Sequence, residues 1–315
     1  MNIPSLSDIK RAHTRIAKYI YNTPVISNQT FNDLVGGNVY FKCENLQKIG
    51  AFKMRGAANV VFSYRPEERV NGFATHSSGN HAQAVAKAAS LAGVKAYIVM
   101  PENAQPVKIE AVQSYGAEIT FCDPTEEARA AACKKVIKKT NAIQIHPYHD
   151  PQIIAGQATA AKELIEEHTD LDYLITPVGG GGLAAGSALT VNYVTPSTKL
   201  ILAEPEEVNE THLSFQSGKK QMLKEGQTSI ADGLLVTVGD LNFEIIKRYA
   251  HDVQCVTEEE IISAMKFFWE RTKIIIEPSS AVAVALLIKN KEQFAGKQTG
   301  VILTGGNVQL DQLPF

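Results

Sequence analysis

Residues 179–182 are four consecutive glycines, set between an apolar run, Tyr173-Leu174-Ile175-Thr176, and a run that continues Leu183-Ala184-Ala185. Few structures suit such a stretch. Backbone N–H groups without side chains can approach an anion closely, and the N-terminus of a following helix adds positive potential at the same point. Strand, glycine loop and helix in this order predict a phosphate cup at the carboxyl end of a strand. The competing account is a tight turn with no ligand. The glycines also interrupt a charge-free run, Tyr173 to Thr198, that would otherwise be long enough for a bilayer. With Pro177, Asn192 and Pro196 in it, a strand, a loop and a buried helix are expected instead.

The rest of the chain alternates short apolar runs with amphipathic stretches, which predicts an α/β fold. Ser5-x-x-Asp8 is a capping box opening a first helix, with Ile9, Ala12, Ile16 and Ile20 on its apolar face. Strands are expected at Val39–Cys43, Gly72–Thr75, Ala96–Met100, Ala117–Phe121 and Ala142–Ile145, with helices at His81–Ala92, Val107–Tyr115 and Glu126–Lys138. A second series, starting near Gly156, has strands at Tyr173–Thr176, Leu200–Ala203 and Val301–Leu303, with helices at Gly182–Asn192 and Glu258–Arg271. The expectation is two open, twisted, mainly parallel sheet domains with helices on both faces and the site in the cleft between them. A large domain would comprise 1–71 and 150–315, and a small one 72–149.

Charge narrows the partners. The 315 residues carry 31 Lys and Arg against 33 Asp and Glu, a net charge of −2. A surplus of positive charge, which nucleic-acid or anionic-membrane binding needs, is absent. Cys43, Cys122, Cys133 and Cys255 are scattered, and MNIPSLSDIK holds no signal-peptide core. A cytoplasmic protein without disulfides is expected.

The glycine loop alone leaves the phosphate compound open. Gly180-x-Gly182-x-x-Ala185 fits a dinucleotide fingerprint, and Glu204 ends the next strand about 20 residues on, where a ribose-binding acid would lie. A nicotinamide-dependent oxidoreductase is therefore a competing reading. Ala51-Phe52-Lys53-Met54-Arg55-Gly56 points elsewhere, because a lysine early in a helix among apolar neighbours can bond an aldehyde cofactor once burial lowers its pKa. Ser77-Ser78-Gly79-Asn80-His81 offers hydroxyls, an amide and free N–H groups, a carboxylate clamp or an ordinary helix cap. Thr304-Gly305-Gly306-Asn307 ends the last strand with a hydroxyl that can face a cofactor edge.

Together these stretches resemble the serine/threonine dehydratase and serine racemase family of fold-type II pyridoxal-phosphate enzymes. The resemblance runs in order through Asn45–Gly56, Ser77–Gln83, Ile154–Gln157, Gly179–Leu183, Ala231-Asp232-Gly233, Glu277-Pro278 and Thr304–Asn307. It implies pyridoxal phosphate as cofactor, an amino acid as substrate and a homodimer. The chain ends soon after Asn307, so the C-terminal regulatory domain of biosynthetic threonine dehydratases is not expected. By the same resemblance Lys53 bonds the cofactor aldehyde, Phe52 packs near the ring, and Gly179, Gly180, Gly181, Gly182 and Leu183 take the phosphate. Asn80 meets the ring hydroxyl, Thr304 faces the pyridine nitrogen, and Gly233 completes the cofactor site. Ser77, Ser78, Asn80 and His81 would hold substrate. A hydroxyl at Thr304 cannot keep the nitrogen protonated as a carboxylate would, which suits elimination.

The resemblance also implies a magnesium or calcium site on Glu204, the Val208 carbonyl and Glu210, where a shorter aspartate is usual in place of Glu210. The competing account is a solvated acidic loop. For the reaction it implies an ammonia-lyase acting on L-serine or L-threonine. Ser78 stands where serine racemases have their second acid/base, so racemisation stays open. Leu234-Leu235-Val236-Thr237, lacking a racemase serine, and His146-Pro147-Tyr148-His149-Asp150-Pro151 both favour the dehydratase. Arg129, alternatively a helix-surface residue, would admit 3-hydroxyaspartate by holding its side-chain carboxylate. His13, His168 and His251 read as surface groups, Lys134, Lys135, Lys138 and Lys139 as a wet helix face, and Trp269 as core.

Overall fold

The computed structural model describes residues 2–104 and 106–315. The chain opens with helix α1 (Leu6–Ile16), capped by Ser5 and Asp8 in the expected box. Strand β1 (Val25–Ile26), α2 (Gln29–Val35), β2 (Asn38–Cys43) and α3 (Lys53–Val61) follow. Next comes a βα series: β3 (Phe73–His76), α4 (Asn80–Leu91), β4 (Ala96–Pro101), α5 (Pro106–Ser114), β5 (Glu118–Cys122), α6 (Glu126–Thr140) and β6 (Ile143–Gln144). The chain then runs through α7 (Pro151–Glu167), β7 (Tyr173–Pro177), α8 (Gly182–Val194), β8 (Lys199–Pro205), α9 (Glu210–Ser217) and α10 (Asp240–Tyr249). It closes with β9 (Asp252–Val256), α11 (Glu258–Thr272), α12 (Pro278–Lys289) and β10 (Gln298–Leu303).

The strands form two sheets. One is six-stranded, in the order β1-β2-β10-β7-β8-β9, and the other four-stranded, in the order β5-β4-β3-β6. Every pair is parallel except β1 with β2. Parallel strands need helical crossovers, and these cover both faces of the larger sheet, so α8 and α12 are apolar nearly all round and buried along most of their length. The charge-free run is thus a strand, a loop and a core helix. Among the described residues no helix is long and apolar enough to cross a membrane.

The second series starts earlier than expected. Asp150 caps α7 by accepting from the Gln152 N–H at 2.7 Å, and Pro151 takes the first helical position, where it needs no N–H partner. Gly156 instead marks a helix crossing. A Cβ there would lie 2.7 Å from the Gly56 Cα of α3.

Helix α3 is a shared wall. Met54, Ala57, Ala58 and Val61 lie in one core with Ala82, Val85 and Ala86 of α4, so α3 belongs as much to the four-stranded unit as to the larger one. Its start is pinned from the other side. Arg55, fully buried, donates to Glu44 through Nε and Nη2 at 2.6 and 2.7 Å, and to Glu163 through Nη1 and Nη2 at 2.7 and 2.6 Å. Lys42 pairs with Glu163 at 2.8 Å. Removing one partner from such a buried network costs about 3–5 kcal/mol. That network fixes the backbone two residues from Lys53.

Candidate active site

The carboxyl ends of the two sheets meet, and the candidate residues line that junction. The phosphate-cup expectation falls on the turn from β7 into α8. Gly181 has φ +85°, a left-handed conformation that a side chain would strain. A Cβ on Gly180 would enter the ring of Tyr148, 2.3 Å from Cδ1. The loop's carbonyls are taken by protein: that of Gly180 accepts from Asn242 Nδ2 at 2.6 Å and from the Gly239 N–H at 3.2 Å, and that of Gly181 from the Ala185 N–H at 2.8 Å. In a trans peptide the next N–H points the opposite way. The N–H groups of Gly181 and Gly182 therefore face away from these partners, at the positive end of α8, where an anion is stabilised.

Lys53 opens α3 behind an unusual bend. Ile49 and Gly50 both have positive φ, 63° and 69°, and the former is a strained position for a β-branched residue. The Phe52 N–H then donates to the Thr304 carbonyl at 2.9 Å, which ties the lysine to the end of β10. Lys53 Nζ donates to the Pro147 carbonyl at 3.3 Å and lies 5.2 Å from the Phe52 ring centre. Burial lowers its pKa to about 8, offset in part by the negative field of Glu277. Pro147 precedes Tyr148, so the amine and the glycine loop flank one short segment.

After β3 the chain turns through Ser77, Ser78 and Gly79 into α4. The Gly79 N–H donates to Ser77 Oγ at 3.3 Å, and a Cβ on Gly79 would meet open space. Ser78 is half-buried. Asn80 reaches across to the larger unit, donating from Nδ2 to both oxygens of Glu277 at 2.9 and 3.1 Å. His81 is placed differently from an open substrate clamp. Its ring is buried, with Nε2 3.4 Å from the Ile145 carbonyl, and burial and neighbouring positive groups hold its pKa well below the usual range. It is a wall residue in its neutral form.

Thr304 and Leu183 are buried at the same junction. The Gly233 N–H is already engaged by Ser279 Oγ at 3.0 Å, while the next residue, Leu234, lies where a Cβ on Gly179 would be, 2.8 Å from its Cα. Gly233 thus acts through the turn that backs the loop. Arg129 is half-buried near the N-terminus of α6, at the same carboxyl end of the four-stranded sheet as Ser78. Its Nε donates to the Thr125 carbonyl at 3.3 Å, and no hydrogen bond links it to another described site residue.

In the acidic stretch 204–210, Glu206 and Glu207 are exposed, but Glu204, Val208 and Glu210 are not solvated. Glu204 is buried and accepts from the N–H groups of Thr211 and His212 at 3.0 and 2.7 Å. That placement removes it from any ribose, so the dinucleotide reading fails at the residue it needed. Glu210 is buried beside it. Its Oε1 accepts from the Val238 N–H at 3.1 Å and from Thr211 Oγ1 at 3.2 Å, while Oε2 is buried without a partner. Burial raises both pKa values, and the charge of Glu210 raises that of Glu204 further. Val208, whose carbonyl is the third candidate, is buried too. Among the described residues no cluster of three or more His, Cys, Asp or Glu suits a metal. Two buried carboxylates with a spare oxygen fit a hard cation completed by carbonyls and water.

Several site residues had no assigned role in the sequence. Glu277 and Asn307 stand in recognisable stretches, yet nothing linear shows that they bond Asn80. Tyr148 and Asn242 hold the glycine loop from distant segments. The surface readings also need amending. Lys134, Lys135, Lys138 and Lys139 are exposed and His251 is exposed, but His168 stacks on Tyr40 with ring centres 3.9 Å apart, and half-buried His13 has an unpartnered Nδ1. Trp269 is half-buried and donates to the Ile276 carbonyl at 3.0 Å.

The family described as "Pyridoxal-phosphate dependent enzyme" matches residues 16–305. The chain belongs to that family. It is 50% identical to a serine racemase of Dictyostelium discoideum, over 98% of this chain and 96% of that one. It is 44% identical to a beta-hydroxyaspartate dehydratase of Paracoccus denitrificans, with 100% of each chain covered. Among solved structures, maize serine racemase superposes with a TM-score of 0.95 at 38% identity, covering 98% of this chain and 95% of the other. Membership in the pyridoxal-phosphate family decides against the nicotinamide alternative. The residues present fit the cofactor: an anion-ready loop, a lysine of lowered pKa, and an amide and a hydroxyl at the junction between them.

Proposed function

We propose that the chain is a pyridoxal-phosphate dependent ammonia-lyase that converts L-serine and L-threonine to 2-oxo acids and ammonia by β-elimination. The observation that carries this reading is the placement of Lys53. Its Nζ lies on the Pro147 carbonyl, and the next residue, Tyr148, packs on Gly180. In this reading Gly179 to Gly182 and Leu183 bind the phosphate, Phe52 and Gly233 frame the ring, and Thr304 faces its nitrogen. When bound, the cofactor withdraws electrons from the substrate Cα. The turn Ser77-Ser78-Gly79-Asn80 binds the substrate carboxylate, with His81 as its inner wall. Lys53, half neutral near pH 8, takes the Cα proton at Nζ and gives it up to the departing β-hydroxyl. The β-hydroxyl leaves as water, and water re-enters as ammonia is released, so the net change is loss of ammonia.

Racemisation is the second reading, and Ser78 favours it, because this half-buried serine stands on the turn between β3 and α4, beside Asn80. Arg129, half-buried at the same carboxyl end of the four-stranded sheet as Ser78, supports a third substrate, threo-3-hydroxyaspartate, whose side-chain carboxylate it would hold. Incubation with L-serine, L-threonine and threo-3-hydroxyaspartate, with chiral analysis of the remaining amino acid, tests all three. Release of 2-oxo acid from L-serine or L-threonine supports the lyase. D-serine without 2-oxo acid contradicts it.

Glu204, the Val208 carbonyl and Glu210 are proposed to hold magnesium or calcium. A homodimer is part of the same reading. Tyr21, Leu46 and Ile275 are exposed on segments joined by bonds from the Tyr21 N–H to Gln47 and from Asn45 to the Ile275 carbonyl, the place this reading gives to a second copy, and sedimentation of Leu46→Glu tests it. The four cysteines are free thiols, two of them buried, which suits a cytoplasmic location.

A further inference from the structure

We propose that Glu277 and Asn307 form a positioning pair that locks the Asn80 side-chain amide with its NH2 turned toward the cofactor and its carbonyl turned away. The proposal rests on the reading that Asn80 meets the cofactor ring, and it names residues to which that reading gives no role.

An amide has two unlike ends, and a ring hydroxyl or its anion is served by the NH2 end. Three bonds fix which end faces which way. Asn307 Nδ2 donates to the Ile49 carbonyl at 2.8 Å, and a carbonyl can only accept, so the orientation of Asn307 is set. The same NH2 donates to Asn80 Oδ1 at 2.8 Å, which turns the Asn80 carbonyl toward Asn307. Asn80 Nδ2 is then left facing the Glu277 carboxylate, which it meets at 2.9 and 3.1 Å. Glu277 Oε2 also accepts from the Asn307 N–H at 3.2 Å, which closes the ring of contacts. Nδ2 lies within hydrogen-bond distance of both carboxylate oxygens, and in this proposal one of its two hydrogens goes to Glu277 and the other to the cofactor.

The bend at Ile49 belongs to this device. A β-branched residue at φ 63° is strained, and that conformation aims its carbonyl at Asn307. Glu277 is almost fully buried and packed so closely on Gly305 that a Cβ there would lie 2.4 Å from Oε1. The charges around it are Asp232, Lys108 and Lys53. Asn80 comes from the four-stranded unit and both partners from the larger one, so the lock forms only when the two units are together.

The test measures pyridoxal phosphate affinity of the apoprotein by absorbance titration, together with its melting temperature, for Asn80→Ala, Glu277→Gln, Asn307→Ala and the pair Glu277→Gln with Asn80→Asp. Glu277→Gln presents an NH2 where an acceptor is needed, so the single variant is expected to bind cofactor about tenfold more weakly. Its apoprotein should melt no lower than the parent, because a buried charge has been removed. In the double variant the carboxylate introduced by Asn80→Asp accepts from both amides, which restores the packing without restoring an NH2. It should fold and bind cofactor as weakly as Asn80→Ala. Parent-like affinity in Glu277→Gln and Asn307→Ala, with affinity lost in Asn80→Ala, overturns the positioning role alone. Parent-like affinity in Asn80→Ala overturns the ring contact and the proposal with it. A fall in apoprotein melting that accounts for all the lost affinity, and that the double variant fully reverses, makes the pair merely structural.

Discussion

Lys53 Nζ donates to the backbone carbonyl of Pro147 at 3.3 Å. The bond joins the first residue of α3 to the segment returning from β6, and Tyr148 in that segment packs on the glycine loop. A carbonyl can only accept, so it orients the lysine nitrogen without taking its proton. The amine is thereby held beside the segment that packs on the glycine loop.

In the proposed function, Lys53 would serve one face of the substrate Cα and Ser78, on the turn after β3, the other. Ser78→Ala should lower racemisation of serine by about tenfold or more while changing elimination from L-serine several-fold less. Parallel assays of D-serine and pyruvate check this, and equal losses would leave Ser78 only a substrate-positioning role.

The acidic pair is wired to the glycine loop. Glu210 accepts from the Val238 N–H, and a Val238 methyl would lie 2.9 Å from a Cβ on Gly181. The proposed cation between the carboxylates would bind the folded form alone and stabilise it by mass action. Added magnesium or calcium should raise the melting temperature, and chelator should lower it together with activity. Glu204→Ala should abolish the response while leaving Lys53 able to bond the cofactor. A parent that ignores chelator would return Glu204 and Glu210 to a purely structural role.

Glu277 gives a pH signature. Burial and the charge of Asp232 push its pKa up to about 7. A carboxyl with a raised pKa in the folded state contributes stability below its unfolded value, about 4.5, and that contribution is lost as pH rises toward 7. Glutamine does not titrate. The apoprotein melting temperature of Glu277→Gln, minus that of the parent, should therefore increase between about pH 5 and about 7.5. That window lies below the Lys53 pKa of about 8. A constant difference would mean that Glu277 titrates as an ordinary surface acid.

Much of this was legible in the chain because it is local. The capping box at Ser5 and the passage from β7 through four glycines into α8 are written in neighbouring residues, and so are the four strands of the smaller sheet and β2, β7, β8 and β10 of the larger, whereas its edge strands β1 and β9 were not read. What was not legible depends on contacts between distant segments. Asn80 and Asn307 are 227 positions apart, and no period or spacing couples them. Glu204 shows the limit most sharply. As a strand-ending acid it suited a ribose or a cation equally well, and the direction of its oxygens, toward the N–H groups of Thr211 and His212, excludes the ribose. Burial of the His81 ring is likewise a property of packing against Ile145, while its sequence neighbours suggested an open clamp.

The central claim is that Lys53 carries the cofactor. Borohydride reduction of the purified holoenzyme, followed by proteolysis and mass spectrometry of the peptides, measures this directly. The expected result is loss of the cofactor's absorbance band and a single reduced pyridoxyl adduct on the peptide containing Ala51-Phe52-Lys53-Met54-Arg55. An adduct on any other lysine, or an unmodified Lys53 after complete reduction, would contradict the account.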